Sequence, residues 1–425
     1  MEVKPGYKQT EVGVIPEEWE VCPIRQKGEV VTGKALAANA PGAQRPYLRT
    51  KNVFDGRIDI DDVLTMPMTD EQFAQFRIRT GDVLLNEGQS LELVGRCAIY
   101  QDEYPEPCAI QNALLRFRAR TGVSDKFASY LFRHCQHTGI FARIALQTTS
   151  VAHLGGTRFE RLLLAWPTQP EQRAIATALS DVDKLVGALD RLIAKKRDLK
   201  QAAMQQLLTG ETRLPGFHGE WDVKRLGSLG TFLKGAGVKK DEALSGDLPC
   251  VRYGEIYTHH HNVVRVFNSF LSVSVAAAAT PVRKGDLLFA ASGETKDEIG
   301  KAVAFVHDCE AYAGGDIVIL RPEASDALFL GYYFNSRAIQ KQKANRGQGD
   351  AVVHISAASL SAIEVTIPAL PEQTAIAAVL TDMDAELAVL EQRQAKTRAL
   401  KQGMMQELLT GRIRLVKPEQ LEVTA

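Results

Sequence analysis

Two stretches of the chain place apolar residues in alternating steps of four and three. The first carries Ile175, Leu179, Val182, Val186, Leu189 and Ile193, and the second carries Ile376, Leu380, Met383, Leu387 and Leu390. This is the a/d seam of a heptad, and it predicts two long helices that pair as a coiled coil. Each stretch opens with Pro-Glu, at 170–171 and 371–372. Proline loses no hydrogen bond in a first helical turn, and glutamate there faces the positive end of the dipole. Each closes on Thr-Gly, at 209–210 and 410–411, with glycine suited to the stop. A helix over 170–208 would be about 58 Å long at roughly 1.5 Å per residue. The alternative is two amphipathic helices, each covering its own neighbouring domain. The matched seams favour mutual pairing.

The stretches are copies of one another. Residues 170–214 aligned without a gap on 371–415 give 24 identities in 45 positions, an offset of 201. A weaker echo surrounds them. Glu18-Trp19 answers Glu220-Trp221, Gly81-Asp82-Val83-Leu84 answers Gly285-Asp286-Leu287-Leu288, and His153 answers His354. Between the helical stretches, glycine-bounded apolar runs predict strands at 82–85, 95–100, 114–118, 286–290, 302–307 and 316–320. Segments 127–143 and 327–343 read as helices. The expected fold class is α+β: two mixed α/β domains separated by two long helices in an antiparallel coiled coil, with a pseudo-two-fold internal repeat. The expected boundaries are 1–169 and 215–370 for the domains, 170–214 and 371–416 for the helical spacers, and 417–425 for a tail.

Composition narrows the class. The 425 residues are 45% hydrophobic and 24% charged, which is ordinary for a globular chain. No run of about 18 apolar residues could span a membrane, and residues 1–14 hold no apolar signal core, so a cytoplasmic setting is expected. Six cysteines lie far apart without a C-x-x-C pair and read as reduced thiols. Catalytic signatures are missing. There is neither an Asn/Asp-Pro-Pro-aromatic loop nor a glycine-rich cofactor turn. Gly28-x-x-x-x-Gly33-Lys34-Ala35 lacks the Ser/Thr of a phosphate loop; its second copy begins at Gly230 and also lacks the lysine, so a repeated structural turn is expected. Thr258-His259-His260-His261 and His134/His137 lack a zinc framework and read as an exposed loop and a helix face. Asp181-x-Asp183 and Asp382-x-Asp384 read as a solvated face or a partner contact. No metal and no cofactor are expected in this chain.

Two similar units tend to close with two-fold symmetry, which makes the paired helices antiparallel and sets a domain at each end of a rod. Dimeric DNA readers space their half-sites by helical turns. One chain with two unlike domains would read an asymmetric, two-part site. The layout resembles the specificity subunit of type I restriction–modification enzymes. The residues that carry the likeness are Pro170-Glu171-Gln172 with Leu207-Leu208-Thr209-Gly210, and Pro371-Glu372-Gln373 with Leu408-Leu409-Thr410-Gly411. The domain openings Pro16-Glu17-Glu18-Trp19 and Gly219-Glu220-Trp221 add to it. Trp166-Pro167 departs from the more usual Ile367-Pro368. The resemblance implies a non-catalytic, DNA-binding subunit with two target recognition domains, part of a restriction endonuclease and adenine methyltransferase complex. Its implied partners are double-stranded DNA, two methyltransferase subunits that use S-adenosylmethionine, and restriction (nuclease/translocase) subunits that use ATP and Mg; no membrane is implied.

Charge complicates this reading, because phosphate neutralisation supplies much of DNA affinity. Lys+Arg and Asp+Glu are both 51. Residues 1–169 hold 20 of each, and residues 216–370 hold 16 and 17. Local bias must then carry the contact. Arg45, Arg49 and Lys51 cluster beside Asn52, with Arg252 in the matching place of the second domain. Arg116, Arg118 and Arg120 alternate, as on one basic strand face. Polar loops supply Gln89, Ser90, Gln147, Thr148 and Thr149 in the first domain. Ser292, Lys296, Arg346 and Gln348 are their counterparts in the second. Arginine suits guanine, and Asn or Gln suits adenine. A coiled-coil interaction scaffold that never meets DNA is the competing reading; unlike domains beside matched helices argue against it. A self-contained nuclease lacks a carboxylate–lysine cluster.

Overall fold

A computed structural model describes residues 4–147, 150–349 and 352–416. The chain divides into two compact units, Met1–Leu189 with Arg393–Ala425, and Asp190–Gln392. Both boundaries fall inside the long helices, Gln169–Leu207 and Leu370–Leu408. Each unit therefore owns one domain, the start of one long helix and the end of the other.

In the first unit a four-stranded antiparallel sheet runs in the order Cys97–Ile99, Val83–Asn86, Leu114–Ala119, Gly28–Thr32. Side chains alternate across a strand, so the sheet feeds two cores. Val83, Leu85, Leu115 and Phe117 face the helix Asp125–His137, in a core with Phe132, Phe159 and Trp166. Leu84, Ala98 and Leu114 face the other way, toward the sheet Ala109–Ile110, Ala43–Leu48, Leu64–Met68. The second unit repeats the plan with five strands, in the order Gly230–Lys234, Ile317–Pro322, Leu287–Ala290, Ala302–Phe305, Val263–Val264. Leu287, Phe289 and Leu320 enter one core, and Leu288, Ala290 and Ile319 the other.

The expected helices over 127–143 and 327–343 are each broken in two. The first becomes Asp125–His137 and Ile140–Ile144, because Gly139 takes a left-handed φ of 72°. The second becomes Ala327–Tyr333 and Arg337–Ala344; between them the Asn335 amide donates to the carbonyls of Gly331 and Ala302. The expected glycine turn at 28–33 is a strand. A Cβ on Gly28 would lie 2.2 Å from the Phe117 ring, and one on Gly33 2.1 Å from the Gln111 carbonyl, so both glycines permit close strand approach.

The repeated Pro-Glu-Gln motif locks each domain to a helix start. Gln172 Nε2 donates to Pro167 O and its Oε1 accepts from Ser124 N (2.8 and 2.9 Å). Gln373 does the same with Pro368 O and Asp326 N. Glu171 is buried; its carboxylate accepts from Trp19 Nε1 at 2.8 Å and from two Arg414 nitrogens at 2.5 and 2.9 Å. Glu372 accepts from two Arg213 nitrogens, both at 2.6 Å.

Within each unit the two helix segments run antiparallel. In the second, Lys196 pairs with Glu386, Lys200 with Asp384 and Arg213 with Glu372. In the first, Lys401 pairs with Asp183 and Arg414 with Glu171. Numbers rise on one helix as they fall on the other. The two readings of the seam also prove compatible. Ile175 and Leu179 share one core with Phe127 of their own domain and with Met405 and Leu408 of the other long helix. Ile376 and Leu380 do so with Phe329 and Leu207. Leu189, Ile193 and Leu387 are buried, while Val182, Val186, Met383 and Leu390 are half-buried. Asp183 and Asp384 are not a solvated face. Each accepts from a domain tyrosine, Tyr130 at 2.7 Å and Tyr332 at 2.6 Å, as well as from its lysine.

Candidate nucleic-acid interface

Strand direction gathers most of the polar loops at one edge of each unit. In the first, Leu114 pairs with Asn86 and Leu115 with Thr32. Two strands thus arrive where the third departs, and loops 33–42, 87–96 and 111–113 share that edge. The parallel pairing of Ala109–Ile110 with Ala43–Leu48 brings Arg49 to it, where Gln111 N donates to Leu48 O. In the second unit Lys234 pairs with Val318, Ala290 with Ile317 and Val251 with Ala313. Loops 235–240, 291–301 and 314–316, with Arg252, meet in the same way.

A small ribbon tops each edge. Gly88–Gln89 pairs with Ala152–His153, which pairs with Leu146–Gln147, so Gln89 and Gln147 flank Ala152. In the second unit Ser292 and Gln348 flank His354. The histidines pin the loops by different means. His153 Nδ1 lies 3.0 Å from a Glu87 oxygen, and the other Glu87 oxygen accepts from Gly155 N. His354 Nδ1 lies 2.9 Å from Ser292 Oγ. Ser292 is therefore buried support rather than an open contact.

The structure redistributes the other candidates. Arg45 sits within its strand, paired with Asp70 and stacked on Phe73, away from the loops. Asn52 is buried, donating to the Asp59 and Asp62 carbonyls and accepting from Arg49 N. Arg49 and Lys51 share Asp62 at 2.7 and 2.6 Å, which leaves one net positive charge in that trio. Arg346 donates to helix carbonyls of Gln342 and Ala362, and Arg252 leans toward Glu255 at 3.8 Å. Gln89 is half-buried; Ser90, Gln147, Lys296 and Gln348 are exposed. Thr148 and Thr149 lie outside the described residues. The expected basic face at 116–120 does not form. Arg116 is buried against Glu29 and two carbonyls, and Arg118 binds both oxygens of Asp82 at 2.7 Å.

Several edge residues escaped the sequence reading: exposed Lys34 and Asn112 in the first unit, and Lys239, Lys240 and half-exposed Tyr253 in the second. Only a register linking strands far apart in sequence reveals them. Behind the second edge, Lys343 is fully buried with its ammonium on the Gly300 carbonyl at 2.6 Å; burial lowers it to about 7. His260, expected in an exposed loop, is buried, and burial lowers it to about 4. Among the described residues no group of three or more His, Cys, Asp or Glu could hold a metal ion. Five of the six free cysteines are buried, and Cys309 is exposed. No described helix is long and apolar enough to cross a membrane.

This architecture of two mixed α/β domains and two long helices is the fold of type I specificity subunits. A solved S subunit from M. genitalium matches with a TM-score of 0.56 at 15% identity, covering 96% of this chain and 98% of that one. The HsdS subunit from Thermoanaerobacter tengcongensis matches at 0.52 and 18%, covering 94% and 98%. In sequence, residues 218–398 match the model of the type I restriction modification DNA specificity domain. The chain is 26% identical to the putative type I restriction enzyme MjaX specificity subunit of Methanocaldococcus jannaschii, over 96% of this chain and 97% of that protein. The MjaVIII specificity subunit of the same organism is 22% identical over 94% of each. In sequence and in fold the chain is similar to type I specificity subunits.

Proposed function

We propose that each domain reads one half of an asymmetric, two-part DNA sequence through its loop edge. The helices would set the gap between halves and dock two methyltransferase subunits. One observation carries this: similar scaffolds present the same edge with different side chains. Gln89, Asn112 and Gln147 occupy it in the first unit, and Lys240, Lys296 and Gln348 in the second. A shared frame with unlike donors and acceptors suits reading of unlike bases. The boundaries 1–169 and 215–370 are proposed for the two recognition domains. Methyl transfer from S-adenosylmethionine, and ATP- and Mg-dependent restriction, would belong to partner subunits.

The test is a domain exchange in the assembled methyltransferase complex. Replacing residues 1–169 by another such domain changes one half of the methylated sequence and leaves the other. Methylation mapping that finds both halves unchanged refutes the assignment. Inserting one helical turn into each long helix changes the gap only; an unaltered gap refutes the spacing role.

A further inference from the structure

The first unit holds an apolar groove with a volume of about 970 Å³. Its walls include Val14 from the hairpin of Tyr7–Thr10 and Gly13–Pro16, Ile140 and Ile144 from a short helix, and Leu163 from an edge strand. Val14 is 47% exposed and Leu163 37%. Four arginines rim it: Arg143, Arg158, Arg161 and Arg412. Arg143 and Arg158 donate only to backbone carbonyls, Arg161 has no partner among the described residues, and Arg412 meets Glu407 at a long 3.4 Å. Glu11 is the one acidic residue on the groove wall. His134 lines it too, nearly buried, with Nδ1 unpartnered and the ring held below the usual imidazole range by burial.

The second unit is an internal control. At the offset of 201, Leu163 becomes Glu364, Arg412 becomes Glu211, Arg158 becomes Ser359 and Arg161 becomes Ala362. The scaffold is retained: Leu163–Trp166 and Glu364–Ile367 pair with Glu20–Pro23 and Asp222–Arg225 in the same way. Leu163, Arg158, Arg161 and Arg412 stand on one copy only, and Arg143, Arg158 and Arg161 have no carboxylate partner among the described residues, which points to a ligand met once per chain. Such a face has a cost in solubility, and guanidinium groups without a carboxylate call for one.

We propose that this groove docks an acidic amphipathic helix of a partner protein, one per chain. Its apolar residues, at i, i+3, i+4 and i+7, would lie on the aliphatic wall. Its glutamates or aspartates would reach the arginine rim. The groove adjoins the reading ribbon through Arg158, which donates to the His153 carbonyl, and the helical spacer through Leu409 and Arg412, so the substitutions below avoid Arg158 and the helix.

The probe is a fluorescein-labelled synthetic helix with leucines in that pattern and glutamates elsewhere, titrated into the full-length protein and followed by anisotropy. Binding should weaken with salt. Arg143→Glu with Arg161→Glu should weaken it by about a hundredfold, each lost charge-assisted contact being worth roughly 1.4 kcal/mol, a factor of about ten. Leu163→Glu, matching the second unit, should do likewise, while the same peptide with lysine for glutamate should not bind. Thermal melts that stay unchanged show that the surface substitutions leave the fold intact; if they shift, Arg161→Gln, which only neutralises, is titrated instead. Three results overturn the proposal: no binding; binding indifferent to these substitutions; or a DNA duplex that competes for the same arginines and excludes the peptide. Binding seen only after deletion of residues 417–425 would assign the groove to the chain's own end and overturn it as well.

Discussion

Replacing Lys343 by methionine should abolish a pH dependence of stability that the buried amine imposes on the second unit. Among the described residues the Lys343 ammonium donates to Gly300 O and no carboxylate acts on it. Burial lowers it from 10.5 to about 7. The sign follows from proton counting. Between these values the unfolded chain binds the proton and the native chain does not, so stability rises with pH across that window. Native Lys343 is half protonated near pH 7, which flattens the slope there. It then approaches about 1.4 kcal/mol per pH unit. From pH 7 to pH 9 the wild-type chain should gain about 2 kcal/mol relative to Lys343→Met. Urea titrations of both proteins at pH 7, 8 and 9 give this difference, and the comparison cancels every other titrating group. A constant difference between the two proteins would refute the assignment of a buried, largely neutral amine. The consequence reaches the reading edge, because Gly300 closes loop 291–301 and the Gln340 amide donates to the adjacent Ile299 carbonyl.

Glu171→Ala should cost about 3 kcal/mol, since it strands Arg414 and the Trp19 indole in a buried site. Glu372→Ala should cost less, because Arg213 is more exposed than Arg414, 25% against 15%, and Trp221 Nε1 makes no bond to that carboxylate. Urea unfolding ranks the pair, and equal losses would contradict the ordering. Tyr130→Phe and Tyr332→Phe each remove one bond to a helix aspartate and should each lower stability by about 1 kcal/mol. Glu87→Ala should relax sequence choice at one half-site and spare the other, as read by methylation mapping. Losing both halves together would mean that Glu87 holds up more than its own loop.

The helices were legible in the sequence because heptad spacing and a gapless repeat are local signals. The gathering of Gln89, Gln147 and their counterparts was only half legible. Their polarity and loop position showed, but the ribbon that joins 88–89, 146–147 and 152–153 depends on register across more than fifty residues. Basic runs misled for a physical reason. Arg116 and Arg118 share one strand face with Leu114, and a second core covers that face, so Arg116 is buried where Glu29 and backbone carbonyls neutralise it. Asn52 misled in the opposite way: its amide resembles a base-reading group, yet the short helix Thr50–Asn52 needs it as a cap. Asp183 and Asp384 read in the sequence as a solvated face or a partner contact; their tyrosine partners lie in the domains, where no periodicity points.

Zero net charge is compatible with DNA reading when the carboxylates are placed away from the loop edges. Asp82 and Asp286 each bind an arginine through both oxygens, Arg118 and Arg321, at the sheet end away from the reading loops. Carboxylates are thereby consumed away from the proposed reading loops, and exposed Lys34, Lys51, Lys239, Lys240 and Lys296 remain at the edges. Asp62 offsets part of the first group, and Glu294, Asp297 and Glu298 flank Lys296. Each neutralised phosphate contributes about −0.9 to the slope of log affinity against log salt, so these five lysines bound the slope of the isolated chain near −4.5. On the proposed function, partner subunits would supply most of the phosphate clamp. Salt titrations by anisotropy on one duplex should give a shallow slope for this chain alone and a much steeper one with methyltransferase bound. Lys239→Ala with Lys240→Ala should lower the first slope by about 2 without changing which bases are preferred. An isolated chain as salt-sensitive as the complex would show that its own surface carries the clamp, and the shared-clamp account would fail.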